Sequence, residues 1–235
     1  MSWRLGVVAA VRDESATART ISLQVAEFPA HLAGQHIDVR LTAEDGYSAV
    51  RSYSIASPAG VGDRLIEITI ERVPDGEVSS DLAGEVTPGD QLEVRGPVGG
   101  WFVWRPAQPD PVQLVAGGSG IVPLMSMVRT HAAASTDAPM RALYSTRSPA
   151  SLIYRGELAG VDVVYTRGVP DGWPTGPHRI GAADLAAVTI TPELAPTCYI
   201  CGPTPFVETA AELFLAAGHP AAKIRTERFG AGGGG

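Results

Sequence analysis

Two cysteines, Cys198 and Cys201, are all that the 235 residues contain. A lone pair cannot complete a tetrahedral zinc site, and no further cysteine exists for an iron–sulfur cluster. The intervening Tyr199-Ile200 reads as a short buried strand, on which positions three apart face opposite sides. A disulfide is then geometrically awkward. The two readings are a redox dithiol, or one core cysteine and one at a strand end. No apolar run approaches the ~20 residues that span a bilayer. Met1-Ser2-Trp3-Arg4-Leu5 lacks the apolar stretch and the cleavage site of a signal peptide, so a cytoplasmic location is expected. Positive charge is scarce: 18 Lys and Arg against 25 Asp and Glu give a formal net charge of −7. That speaks against a nucleic-acid backbone or an anionic membrane as partner. His31, His36, His131, His178 and His219 form no metal-ligand spacing, so no metal is expected. Trp3, Trp101, Trp104 and Trp173 read as packing residues.

What is present is an ordinary globular balance, 45% hydrophobic and 18% charged, in a length suited to one large or two small domains. The 27 glycines and 19 prolines make the chain turn often. Residues 4 to about 105 read as short strands. Thr20 to Val25 and Leu65 to Glu71 alternate cleanly, and turns such as Pro58-Ala59-Gly60 and Pro88-Gly89-Asp90 separate the strands. This pattern predicts an antiparallel barrel or sandwich. The proline-dense 106–111 segment reads as a stiff linker.

Beyond it the rhythm changes. Val112 to Ala116, Ala142 to Ser145, Val161 to Tyr165 and Cys198 to Cys201 read as strands. Val122 to about Ala133, Ser151 to Leu158, Ala182 to Ala187 and Pro203 to Ala217 read as helices. Strand–helix alternation predicts a parallel sheet with helices on both faces. The glycine-rich 231–235 segment reads as a disordered tail.

Two stretches carry chemistry. Gly117-Gly118-Ser119-Gly120-Ile121-Val122-Pro123 lies where a strand hands over to a helix, and proline suits a first helical turn. Glycines there let a ligand approach the backbone, and the helix N-terminus supplies N–H groups for phosphate. A plain turn is the alternative. In Arg51-Ser52-Tyr53-Ser54, alternation sends Arg51 and Tyr53 to one face. A guanidinium beside a phenol can hold an anion next to a flat ring. An exposed barrel strand with a chance pair is the alternative.

Together with Gly76-Glu77-Val78-Ser79, Gly96-Pro97-Val98-Gly99-Gly100, Cys201-Gly202-Pro203 and Glu227-Arg228-Phe229-Gly230, these blocks resemble, in order, the ferredoxin–NADP reductase family of flavoproteins. The resemblance runs from about residue 4 to 230. It implies a flavin-binding antiparallel β-barrel over 1–105 and a nicotinamide-nucleotide-binding α/β domain over 112–230. By the same resemblance, Tyr53 packs on the flavin ring, Ser54 bonds near its N5 and Arg51 pairs with its phosphates. Ser52 belongs to the same block, and Thr69 and Ile70 lie on the strand that edges the flavin. Gly76, Val78, Ser79 and Ser80 bind the pyrophosphate, which favours FAD over FMN. Gly117, Gly118, Ser119 and Gly120 receive NAD(P)H, with Gly202 and Pro203 beside them. Cys201 borders the nicotinamide, or is simply packed. Phe229 covers the flavin face, or anchors the terminus, and Glu227 relays a proton.

Arg147, Arg167 and Arg179 fall where members that prefer NADPH carry phosphate-binding arginines, and no acid ends the strand before Arg147. NADPH is therefore the expected donor; solvated surface arginines are the alternative. Relatives in multicomponent oxygenases carry a fused iron–sulfur domain for which this sequence has neither length nor cysteines. The expected acceptor is a separate ferredoxin, haem or other redox protein, or a small molecule such as a quinone. A nucleotide-binding sensor or electron-transfer subunit without turnover is the different-class alternative.

Overall fold

The computed structural model describes residues 2–42, 46–60, 65–72, 84, 86–134 and 136–229. The chain divides into two compact units. One comprises Met1–Arg105 with Met125–Ala133, the other Pro106–Leu124 with Ala134–Gly235.

The first unit is built from β1 (Arg4–Asp13), β2 (Ala18–Val25), β3 (His36–Thr42), β4 (Ser48–Ser54), β5 (Leu65–Glu71) and β6 (Gln91–Val98). They form one antiparallel sheet in the order β4-β3-β6-β1-β2-β5. Just past β4, Ile55 bridges Ile68 on β5, and Ala56 N–H donates to the Glu67 carbonyl at 2.7 Å. The two outer strands thus meet, and the sheet curls into the expected barrel. Alternation drives this: Ile21, Leu23 and Val25 on β2 and Ile66, Ile68 and Ile70 on β5 all point into one buried core with Ile37, Val39 and Val94. Each such side chain contributes about 1.5–3 kcal/mol of burial.

The second unit carries β7 (Val112–Gly117), α1 (Ile121–Ala134), β8 (Met140–Thr146), β9 (Val161–Tyr165), α2 (Ala182–Val188), β10 (Thr197–Pro203), α3 (Thr204–Ala216) and β11 (Ile224–Phe229). The five strands are parallel, in the order β11-β10-β7-β8-β9. Leu185 of α2 and Val207, Ala210 and Phe214 of α3 pack on Val115, Leu143, Cys198 and Ile200. β10 is buried on both faces and reads as a near-continuous apolar run, as a central parallel strand should. Cys198 and Cys201 are both unbonded, so the awkward disulfide is not formed. The Lys223 ammonium donates to the Asp110 carboxylate at 2.6 Å. From Met125 onward α1 counts with the first unit. There Ser126 donates to the Ser57 carbonyl at 2.7 Å, and Arg129 reaches the Ala56 carbonyl and Glu67 at 2.8 and 3.0 Å.

One predicted helix is absent. Residues 151–158 form only isolated 3-10 turns, Pro149–Ser151 and Arg155–Glu157. Leu152, Ile153 and Tyr154 are buried in succession, which a surface helix with one apolar stripe cannot do. Tyr154 takes a left-handed conformation, φ 59°, and ends any helical run. Tertiary burial overrides a moderate local propensity here. Strand β11 is the opposite case, an element that the alternation of residues 224–229 did not announce.

Candidate functional site

In the first unit, β4 runs against β3 without a register shift, pairing Ile37 with Tyr53, Asp38 with Ser52 and Val39 with Arg51. Arg51 and Tyr53 therefore share a face, as alternation requires. Tyr53 is half-buried against the barrel core. Burial pushes its phenol up to about 12, against the pull of Arg51, so the ring stays neutral and its O–H remains a donor. The Arg51 guanidinium is exposed and donates to the neighbouring Val50 carbonyl at 2.8 Å. Ser54 is half-buried opposite His36.

Ser52 points the other way: its hydroxyl donates to Asp38 at 2.7 Å. On β5, the Thr69 hydroxyl shares a 2.7 Å hydrogen bond with Thr20, and Ile70 is a core residue. Both side chains are engaged inside the barrel, so what β5 can offer a ligand is backbone. Gly76, Val78, Ser79 and Ser80 lie outside the described residues, as do Gly230 and the 231–235 tail.

In the second unit, chain order reverses between β7 and β10: after β7 the chain moves to β8 and β9, then returns to the other side of β7. In open α/β sheets such a switch point leaves a crevice at the carboxyl ends of the strands, the usual place for a ligand. Gly117 ends β7 there, and Gly202 is the penultimate residue of β10. Between β7 and α1 stands one 3-10 turn, Gly118–Gly120, with Pro123 in the first turn of α1. A Cβ on Gly120 would lie 2.2 Å from the Cys201 carbonyl oxygen. One on Gly202 would lie 2.7 Å from the Phe206 ring and 3.1 Å from the Gly117 oxygen. The absence of side chains lets the two segments touch. Ser119 is half-buried in the same turn.

Cys201 pairs in register with Glu227, and Pro203 with Phe229. Cys201 is 1% exposed. Burial, with the Glu227 charge alongside, raises its thiol well above the ordinary range, so it is protonated and no nucleophile. Burial also lifts the Glu227 carboxyl to about 7. Phe229, 37% exposed, is the last described residue of β11.

At the far side of the sheet, Arg147 and Arg167 follow β8 and β9, and Arg167 N–H donates to the Arg147 carbonyl at 2.9 Å. Arg179 follows His178, whose N–H bonds the Tyr165 carbonyl at 2.9 Å. The His178 ring is held by Asp184 at 2.9 Å, which keeps its pKa raised. The backbone thus brings all three arginines, each exposed, to the carboxyl end of β8 and β9. Two residues of the site were not singled out from sequence. Phe206, packed where Gly117 and Gly202 have no side chain, was signalled only by an aromatic just after Cys201-Gly202-Pro203. Asp38 was signalled only by its place on the polar face of an alternating strand, with His36, Arg40 and Thr42.

Among the described residues, no group of three or more His, Cys, Asp or Glu could hold a metal ion. No described helix is long and apolar enough to cross a membrane.

Comparison with known proteins places this geometry. Residues 7–103 match the oxidoreductase FAD-binding domain and residues 114–212 the oxidoreductase NAD-binding domain. The chain is 32% identical over 209 residues to the glycine betaine monooxygenase reductase subunit of Chromohalobacter salexigens, covering 84% of this chain and 56% of that protein. It is 33% identical over 211 residues to the NADH oxidoreductase HCR of Escherichia coli, covering 88% and 62%. The chain spans little more than half the length of these curated relatives. Among solved structures, the flavohem-like FAD/NAD binding domain of nitric oxide dioxygenase from Vibrio cholerae superposes with a TM-score of 0.83 at 26% identity. That match covers 97% of this chain and 98% of the other. The chain belongs to the ferredoxin–NADP reductase-like flavoprotein oxidoreductases, with a FAD-binding barrel followed by an NAD-binding α/β domain.

Proposed function

We propose that the chain is a FAD-dependent NAD(P)H oxidoreductase of the cytoplasm that favours NADPH and passes electrons to a separate acceptor, a redox protein or a small molecule. The observation that carries this reading is the glycine junction at the β7–β10 switch point, in a chain whose barrel also presents Arg51 beside Tyr53. The donor set suits a flavin: a neutral aromatic ring, a guanidinium on the same face and an outer-strand backbone. When bound, FAD supplies the redox chemistry, taking two electrons as hydride and releasing them onward.

The chain's residues orient and hold. Tyr53 offers its ring for stacking, Ser54 a hydroxyl and Arg51 a charge for phosphate. The N–H groups of Gly118 to Gly120 and the start of α1 receive the nucleotide pyrophosphate. The protonated Cys201 thiol, one residue before Gly202 on β10, positions the nicotinamide. Glu227, titrating near neutrality, can hold or yield a proton at its carboxyl oxygen. Phe229 shields the flavin face. Two unbonded thiols suit a reducing compartment.

The decisive experiment is anaerobic reduction. The purified protein is expected to be yellow, or to become so with FAD, and to bleach on NADPH. A protein that refuses FAD would be the nucleotide-binding subunit without turnover. Donor choice rests on Arg147, with Arg167 and Arg179 beside it. Arg147→Ala is expected to lose about ten- to a hundredfold in kcat/KM for NADPH while NADH barely changes. A parent that prefers NADH, the donor named for the Escherichia coli relative, overturns this choice.

A further inference from the structure

β4 is an outer strand with little apolar material to hold it. Ser48, Val50, Arg51 and Ser52 are all exposed, and only Ala49 and Tyr53 reach the core. Such strands have weakly specified register, and a one-residue slip carries every side chain to the other face. For β4 that slip would turn Arg51 and Tyr53 outward. On the outer face, however, three residues stand directly opposite one another on adjacent strands: Ser52 on β4, Asp38 on β3 and Arg95 on β6. Ser52 donates to Asp38 Oδ1 at 2.7 Å. Arg95 donates to Asp38 Oδ2 from Nε and Nη2 at 3.1 and 2.7 Å, and its guanidinium lies over the Trp3 ring at 4.8 Å.

We propose that the Ser52–Asp38–Arg95 ladder sets the register of β4, making Asp38 and Ser52 positioning residues for flavin binding that act from the face opposite the ligand. This rests on the flavin reading of Arg51 and Tyr53. Asp38 is only 8% exposed, so its carboxylate depends on these donors. Burial pushes its pKa up, but the bonds from Ser52 and Arg95 outweigh that and hold it below the usual range. The neighbouring rung supplies a natural contrast. Arg40 pairs with Glu93 at 2.6 and 2.8 Å and also stacks on Trp3. Its opposite residue on β4 is Val50, which has no polar side chain to link. That rung braces β3 and β6 and leaves β4 alone.

The test titrates FAD into the apoprotein by flavin fluorescence, with thermal melting and amide exchange followed in parallel. Ser52→Ala and Asp38→Ala are expected each to weaken FAD about tenfold, and together no more than the stronger alone, because both break one ladder. Both should speed exchange at the Arg51 to Ser54 amides before flavin is added. Asp38→Asn keeps an acceptor for Ser52 and should recover most of the affinity. Arg40→Ala should lower Tm yet keep FAD binding within about twofold of the parent. Affinity unchanged in Ser52→Ala and Asp38→Ala, or lost equally in Arg40→Ala, overturns the proposal. So does loss in Ser52→Ala alone, which would mean direct contact. A parent that binds no flavin overturns the flavin reading itself, and this inference with it, before any variant is made.

Discussion

Gly120→Ala is expected to destabilise the second unit by at least about 3 kcal/mol, the upper range for forcing atoms into a packed site. The added methyl would stand 2.2 Å from the Cys201 carbonyl oxygen, a backbone atom fixed in the middle of the sheet and unable to swing away. Either β10 separates from the turn before α1 or the turn itself shifts. Against a total stability of about 5–15 kcal/mol, that is a large share. The loss should appear in thermal melts with no nucleotide present, because it comes from packing and not from a lost ligand. Gly176→Ala is the matched control: a Cβ there meets nothing within 4 Å, and its effect should stay within about 0.5 kcal/mol. Equal melting of both variants would refute the packing account of the junction.

The second large effect depends on pH. The folded chain holds the Glu227 carboxyl at about 7 against an ordinary value of 4.5, because burial disfavours its charge. The folded state therefore binds a proton that the unfolded chain releases between these values. A raised folded pKa gives stability that is fully present below the unfolded value and lost as pH climbs through the folded one. Glu227→Gln has no such loss. It should match the parent at about pH 4.5 and exceed it by roughly 3 kcal/mol at about pH 8, the shift converted at ~1.4 kcal/mol per unit. Denaturant melts of the two proteins across that window give the difference directly. A constant gap would place the carboxyl in water and remove its standing as a proton carrier near neutrality.

Local signals in the sequence carried much of this architecture, and their successes share a cause. The Arg51 and Tyr53 face was legible because β4 is regular, so a period of two transfers directly to space. The helix after Pro203 and the turn at Gly117 were legible because proline and glycine punctuate the backbone locally. The segment 151–158 misled because its three successive buried side chains answer to tertiary neighbours. The role of Ser52 was hidden for a related reason. Its partner Asp38 lies on another strand, and strand pairing is not written in either segment alone. Likewise, the sequence showed glycines at 117, 120 and 202 but not that Phe206 and the Cys201 carbonyl occupy the space that their side chains would need.

The ion pair of Lys223 with Asp110 has a consequence for proteolysis. Lys223 is the only lysine in the sequence, and it ends the 3-10 turn immediately before β11. A lysine-specific protease therefore has one bond to cut, Lys223–Ile224. That cut frees the edge strand bearing Glu227 and Phe229 from the rest of the chain, leaving only its pairing with β10 to hold it. Cleavage requires the turn to open locally, so its rate follows the population of the opened state when opening is fast relative to cutting. The single lysine thus stands at the start of the strand that pairs with Cys201, and the docking of that strand can be read from one fragment on a gel.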